Sequence, residues 1–216
     1  MNFEPEYIYH IYNRGNNRQK IFFNHENYLF FLRKVRKELL PYMDILAYCL
    51  MPNHFHFLVQ IKAKQPQSVR PLPAVRRIGE VRPVPVIARK IGTLLSSYTQ
   101  AINKQQHRTG SLFQQKTKAK RLTHSTHPTA PSGQTGFDYD LACFHYIHRN
   151  PIDTGLTKKP EEWVYSSFRD YAGLRKGSLC NKELAYEILH YDKESFYEQY
   201  FVKFSAGNFT HPQCIP

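Results

Sequence analysis

"MDILAYCLMPNHFHFLVQI", residues 43–61, decides the fold. Two runs rich in β-formers, Met43–Met51 and His54–Ile61, flank Pro52-Asn53, a dipeptide suited to a tight turn, so the stretch reads as a β-hairpin. Alternate residues of a strand share a face, which sets His54 and His56 side by side and turns Phe55 and Phe57 the other way. Two imidazoles so placed can face one metal ion. Taken alone they read as ordinary histidines of a strand, because a metal site needs a third ligand that this stretch does not supply.

Outward from the hairpin, "EYIYHIYNRG" alternates over residues 6–13 and closes on Gly15, a first strand. "NHENYLFFLRKVRKELL" has apolar residues at Leu29, Leu32, Val35 and Leu39 behind Asn24, an amphipathic helix with its cap. A second helix runs through Ile87, Ile91, Leu94, Leu95, Tyr98 and Ile102. "SLFQQKTKAKRL" is a short strand whose period-2 spacing puts Lys116, Lys118 and Lys120 on one side. The order β-α-β-β-α-β predicts an α+β, ferredoxin-like split βαβ core, an antiparallel sheet with helices on one face. Further helices follow: "FDYDLACFHYIHRN", stopped by Pro151, then "PEEWVYSSFRDY" and "KELAYEILHYDKESFYEQYFVKF". The expected division is a catalytic domain over residues 1–175 and a helical extension over 176–216. Residues 63–86, rich in Pro and Arg, form a basic extended insertion, and residues 123–136, rich in Ser, Thr, Pro and Gly, a loop.

The 216 residues carry 30 Lys and Arg against 17 Asp and Glu, a formal charge of +13. Such an excess favours a polyanionic partner, since neutralising phosphates releases counterions. A membrane is disfavoured: no apolar run approaches the ~20 residues of a spanning helix, and the start lacks a signal-peptide pattern. The cysteines, Cys49, Cys143, Cys180 and Cys214, are scattered with no C-x-x-C pair, which reads as reduced thiols of a cytoplasmic, nucleoid-associated protein.

The missing ligand has a candidate in "HYIHRNP". On a helix Tyr146 and Asn150 lie one turn apart on one face, while Leu141, Phe144 and Ile147 mark the core side. Asn150 offers a neutral amide oxygen as a ligand and Tyr146 a nucleophile; equally, Asn150 reads as a helix cap before Pro151 and Tyr146 as a half-buried aromatic. The neighbouring His145 and His148 are possible proton carriers but read better as surface residues.

Together "HFH" and "YIHRN" resemble the HUH single-tyrosine transposases, specifically the REP-associated tyrosine transposases. "YHIYNRGNNRQKIFF", "GSLFQQKTKAK" and "WVYSSFRDY" extend the resemblance over most of the chain. It implies His54, His56 and Asn150 as ligands of Mg²⁺ or Mn²⁺, and Tyr146 as the residue that attacks DNA. Thr117 stands where the family often has an aromatic, which removes any DNA contact owed to that ring. Mixed imidazole and amide-oxygen ligation with open positions suits Mg²⁺ or Mn²⁺ on phosphate better than Zn²⁺. The implied reaction is cleavage of single-stranded DNA beside a hairpin through a 5′-phosphotyrosine, then rejoining by a 3′-hydroxyl without ATP. The expected DNA-binding residues are Asn13, Arg14, Arg18, Lys116, Lys118, Lys120, Arg121 and Arg149, and whether the protein acts as monomer or homodimer is open.

A catalytically inert hairpin-binding regulator is the alternative. The set of His54, His56, Tyr146 and Asn150 favours the enzyme, since an inert descendant has no need of it. A two-histidine RNA phosphoesterase would need a second H-x-T/S motif on a strand, and "HST" at 124–126 lies in the Ser/Thr-rich loop. A plasmid-type replication initiator usually adds a helicase domain, for which this chain has no room.

Overall fold

The hairpin forms as expected. In the computed structural model, which describes residues 2–66, 85–122, 139–194 and 196–205, β2 (Met43–Met51) pairs antiparallel with β3 (His54–Ile61), Met51 opposite His54. The turn carbonyls are used by the chain before them: Pro52 accepts from the Ile21 and Phe22 amides, Asn53 from Gly15. β1 (Ile8–Arg14) pairs with the other side of β3, and β4 (Lys118–Arg121) with β1. The antiparallel order β2-β3-β1-β4 is the ferredoxin-like split βαβ. β4 is shorter than expected, so Lys118 and Lys120 are strand residues and Lys116 precedes it.

The two faces of the sheet bury different chemistry. α1 (His25–Glu38), capped by the Asn24 side chain on the Asn27 amide, and α2 (Val86–Gln105) cover one face. Their buried stripe is aromatic: Phe31 lies 5.3 Å from Phe55 and 4.9 Å from Tyr98, ring centre to ring centre. Leu29 and Leu32 are therefore only half-buried, and Tyr28, Phe31, Val35 and Leu39 form the core side of α1. Each such ring removed from water contributes about 1.5–3 kcal/mol.

α3 (Tyr139–Asp153) lies on the opposite face, against β2 and β3. It does not stop before Pro151 as the sequence predicted. Proline removes one N–H and disfavours helix in the residue before it, yet here the helix keeps Pro151 and ends at Asp153, with the Asn150 carbonyl accepting from Thr154. Short α4 (Phe168–Tyr171), then α5 (Lys182–Leu189) and α6 (Phe196–Ser205) complete the chain's order. The outer edge of β2 is covered: Ser167 donates its amide to Tyr48, Leu50 to Tyr165, and Asn181 to Ile45. Tyr171 donates to the Leu46 carbonyl, and the Asp170 carboxylate holds Arg175 through two bonds of 2.6 and 2.9 Å.

Cys49, Cys143 and Cys180 are buried as thiols. Among the described residues no helix is long and apolar enough to cross a membrane. Most of the Pro-rich insertion, the loop at 123–136 and Cys214 lie outside the described residues.

Candidate active site

Strand register builds the floor of the site. Tyr12 of β1 sits opposite His56 and Arg14 opposite His54, while Tyr12 also faces Lys118 of β4. Because side chains alternate, His10, Tyr12 and Arg14 share the face of His54 and His56. α3 crosses above them. One turn apart on that helix, Tyr146 and Asn150 come down onto the pair, with the rings of His56 and Tyr146 5.3 Å apart and nearly perpendicular. All four residues line a cavity of about 350 Å³.

The hydrogen bonds around His54 bear on whether a cation fits. Its Nδ1 lies 2.6 Å from Asn53 Oδ1 and its Nε2 3.1 Å from Asn150 Oδ1. The Asn53 amide nitrogen donates to the Arg18 carbonyl, and the Asn150 side chain hydrogen-bonds Tyr146, so each amide turns its oxygen to His54. A neutral imidazole has one N–H for these two acceptors. Burial holds His54 below its ordinary pKa, with the Asn150 bond opposing, so the neutral form dominates. With the proton on Nδ1 at the shorter contact, two lone pairs face one another across 3.1 Å. That is close to the spacing of adjacent ligands at right angles around an ion with bonds of about 2.1 Å. His56 Nε2 is buried with no hydrogen-bond partner among the described residues. His54, His56 and Asn150 thus fit a divalent cation, which would polarise a bound phosphate. Among the described residues no group of three or more His, Cys, Asp or Glu is so arranged, so the amide oxygen is needed to complete the set.

Burial also pushes the Tyr146 phenol up from its ordinary value, with the Asn150 hydrogen bond pulling the other way. The His56 imidazole is held well below its usual range by desolvation, then by His10 and His54.

Of the basic residues, Arg14, Arg18, Lys116 and Lys118 line the cavity. Arg18 reaches it from a 3-10 turn (Asn16–Arg18) in which Asn17 and Arg18 both have positive φ, 50° and 57°. Gly15 precedes that turn, where a Cβ would collide with the Gln19 carbonyl oxygen. Asn13 also lines the cavity, but its amide is engaged by the Gln114 carbonyl and the Thr117 hydroxyl, so it holds the turn and β4 approach together. Three expected DNA contacts stand apart from the cavity wall. Lys120 donates to the Tyr139 hydroxyl, Arg121 pairs with Glu4 at 2.8 Å, and Arg149 pairs with Asp153 at 2.8 Å.

His145 and His148 are fully buried, contrary to the surface position expected for them. The segment after α3 packs over them: Tyr191 lies 2.8 Å from His145 Nε2, and Ser167 2.7 Å from His148 Nε2. Neither is among the residues lining the cavity. Sequence reasoning missed His10, Tyr12, Asn53 and Asp153. The available signal was the alternation of "YHIYNR", whose even positions, 10, 12 and 14, share one face.

Residues 4–70 match the model of the IS200-like transposase family. The matched segment contains β1, α1 and the whole histidine hairpin. The fold as a whole resembles a solved structure of a REP-associated tyrosine transposase bound to a REP hairpin, with a TM-score of 0.53 at 17% identity. That match covers 81% of this chain and 86% of the other. A search of curated proteins found no match. The transposase resemblance and the α+β fold read from the sequence are both borne out.

Proposed function

We propose that this transposase-like protein is a metal-dependent single-stranded DNA endonuclease and strand transferase that cuts beside a hairpin through a 5′-phosphotyrosine intermediate. The observation that carries the reading is the descent of Tyr146 and Asn150 onto His54 and His56 in one basic cavity. The hairpin substrate is taken from the structural relative, which is bound to a REP hairpin.

Arg14, Arg18, Lys116 and Lys118 would hold the backbone of the entering strand, since their charges replace its counterions. Tyr12, with Lys118 5.9 Å from its ring centre, offers a flat face to an unpaired base. His54, His56 and Asn150 would hold Mg²⁺ or Mn²⁺, which when bound polarises the scissile phosphate. Tyr146 Oη, having lost its proton, attacks phosphorus; the new O–P bond forms as the P–O3′ bond breaks, and the 3′ oxygen leaves as a hydroxyl after taking a proton. One phosphodiester replaces another, so a 3′-hydroxyl can later reverse the step on a second strand. Asn150 serves twice, turning its oxygen to the ligand side and its amide to the phenol.

The test uses single-stranded hairpin DNA labelled at either end, with Mn²⁺ or Mg²⁺. The 3′-label should travel with denatured protein, the 5′-label should leave on a fragment ending in a hydroxyl, and Tyr146→Phe or chelation should abolish both. Cleavage by Tyr146→Phe refutes the tyrosine mechanism. Tight hairpin binding without adduct by the wild type would support an inert regulator.

A further inference from the structure

His10 is the one histidine of this face to which the resemblance gives no role. It is completely buried on β1, and its register partner is Leu58, which makes it the diagonal neighbour of His56 across the strand pair. Its Nε2 lies 2.9 Å from His56 Nδ1, and the two rings are nearly parallel with centres 5.0 Å apart. Tyr12 lies over the same pair, its ring centre 4.7 Å from His10 and 5.7 Å from His56, and the Tyr146 ring stands 6.1 Å from His10, edge-on.

Two neutral imidazoles share one proton at such a contact. If His10 Nε2 donates, His56 carries its own proton on Nε2, where it meets no acceptor among the described residues and blocks a ligand position. If His56 Nδ1 donates, Nε2 is a lone pair that a cation can use. Without a cation each arrangement leaves one buried donor and one buried acceptor unmet, because His10 Nδ1 is also without a hydrogen-bond partner there. A cation at Nε2 meets the unmet acceptor of the second arrangement and has no place in the first. A metal-bound histidine is generally oriented by what its other nitrogen donates to, most often a carboxylate, a carbonyl or water. In this chain the acceptor is a second, buried histidine.

We infer that His10 is a positioning residue: by accepting the His56 Nδ1 proton it fixes the tautomer and ring plane of His56, so that Nε2 presents a lone pair to the ion. The inference rests on the metal reading above, and its test separates the two. Mn²⁺ affinity is measured by calorimetry on wild type, His10→Phe, His10→Gln and His56→Ala, with thermal denaturation in chelator to show that each is folded. Phe keeps the flat ring and removes the acceptor; Gln places an amide oxygen near the old Nε2. Loss of the acceptor should weaken Mn²⁺ binding about 10- to 100-fold, and Gln should restore most of it. In a His56→Ala background His10→Phe should cost nothing further, which a purely structural role would not produce. If His10→Phe does not fold, His10→Met, of comparable reach and without a strong acceptor, makes the same comparison. Mn²⁺ affinity within twofold of wild type in the variant lacking the acceptor overturns the role of His10 alone. So does an equal loss with and without His56. A wild type that binds no Mn²⁺ overturns the metal reading and this inference with it.

Discussion

Acidification should unfold this protein through its interior histidines before its carboxylates titrate. His10, His56 and His148 are all buried. Burial holds the His10 imidazole down to about 3, with Lys120 adding to the effect, and lowers His56 and His148 well below the ordinary range. In the unfolded chain each returns to about 6.5. Below that pH the unfolded state binds protons that the folded state refuses, so stability falls as pH drops through about 6.5 and keeps falling until the folded groups titrate. At pH 5.0 His10 costs about 2 kcal/mol, roughly 1.5 units at about 1.36 kcal/mol per unit, and His56 and His148 add losses of the same sign. These losses draw on the ~5–15 kcal/mol that holds a typical domain folded. The assay is urea denaturation at pH 7.5 and 5.0 in chelator, so that no cation competes for the imidazoles. His148→Gln, which can keep a hydrogen bond to Ser167, should lose less stability over the same range. A total loss under about 2 kcal/mol, or an unchanged loss in His148→Gln, would refute the assignment of neutral interior histidines.

Saturating Mn²⁺ should raise stability by about 2.7 kcal/mol at one hundred times its Kd; at the same Mn²⁺ concentration calorimetric melting should show a smaller gain in His54→Ala and His56→Ala. Lys116→Gln and Lys118→Gln should each lower the salt-dependence slope of single-stranded hairpin binding by about 0.7, read by anisotropy across a salt series. An unchanged slope would place those lysines off the DNA path. Gly15→Ala should shift the turn that carries Arg18, because its Cβ meets the Gln19 carbonyl; weaker DNA binding with intact Mn²⁺ affinity is the expected pattern. Arg175→Met should destabilise by about 3–5 kcal/mol, the range for leaving a buried carboxylate unpaired, since Asp170 is 1% exposed; equilibrium unfolding measures it.

What could be read from the sequence was whatever depends on local periodicity. The face shared by His54 and His56 follows from strand geometry, and the pairing of Tyr146 with Asn150 from one helical turn. His10 and Tyr12 obey the same alternation but gain meaning only through the register that sets Tyr12 against His56, a non-local fact. The surface position expected for His145 and His148 failed because their cover, Tyr191 and Ser167, comes from segments with no recognisable link to them. Charges were hardest to allot. Arg121 reads as a DNA contact until Glu4, 117 positions away, is seen to hold it. The persistence of α3 through Pro151 shows the same limit, a local breaker overruled by the packing of the helix as a whole.

The covered edge of β2 has a consequence for the order in which the chain is made. Tyr48 waits for Ser167, 119 residues later, or about 6–24 s at a synthesis rate of about 5–20 residues per second. For that interval the growing chain carries a bare strand able to template pairing with a neighbour on the same message. The helix bearing Tyr146 emerges just before the cover arrives. The nascent chain thus gains the last residues of its candidate site at nearly the moment it stops being an aggregation hazard.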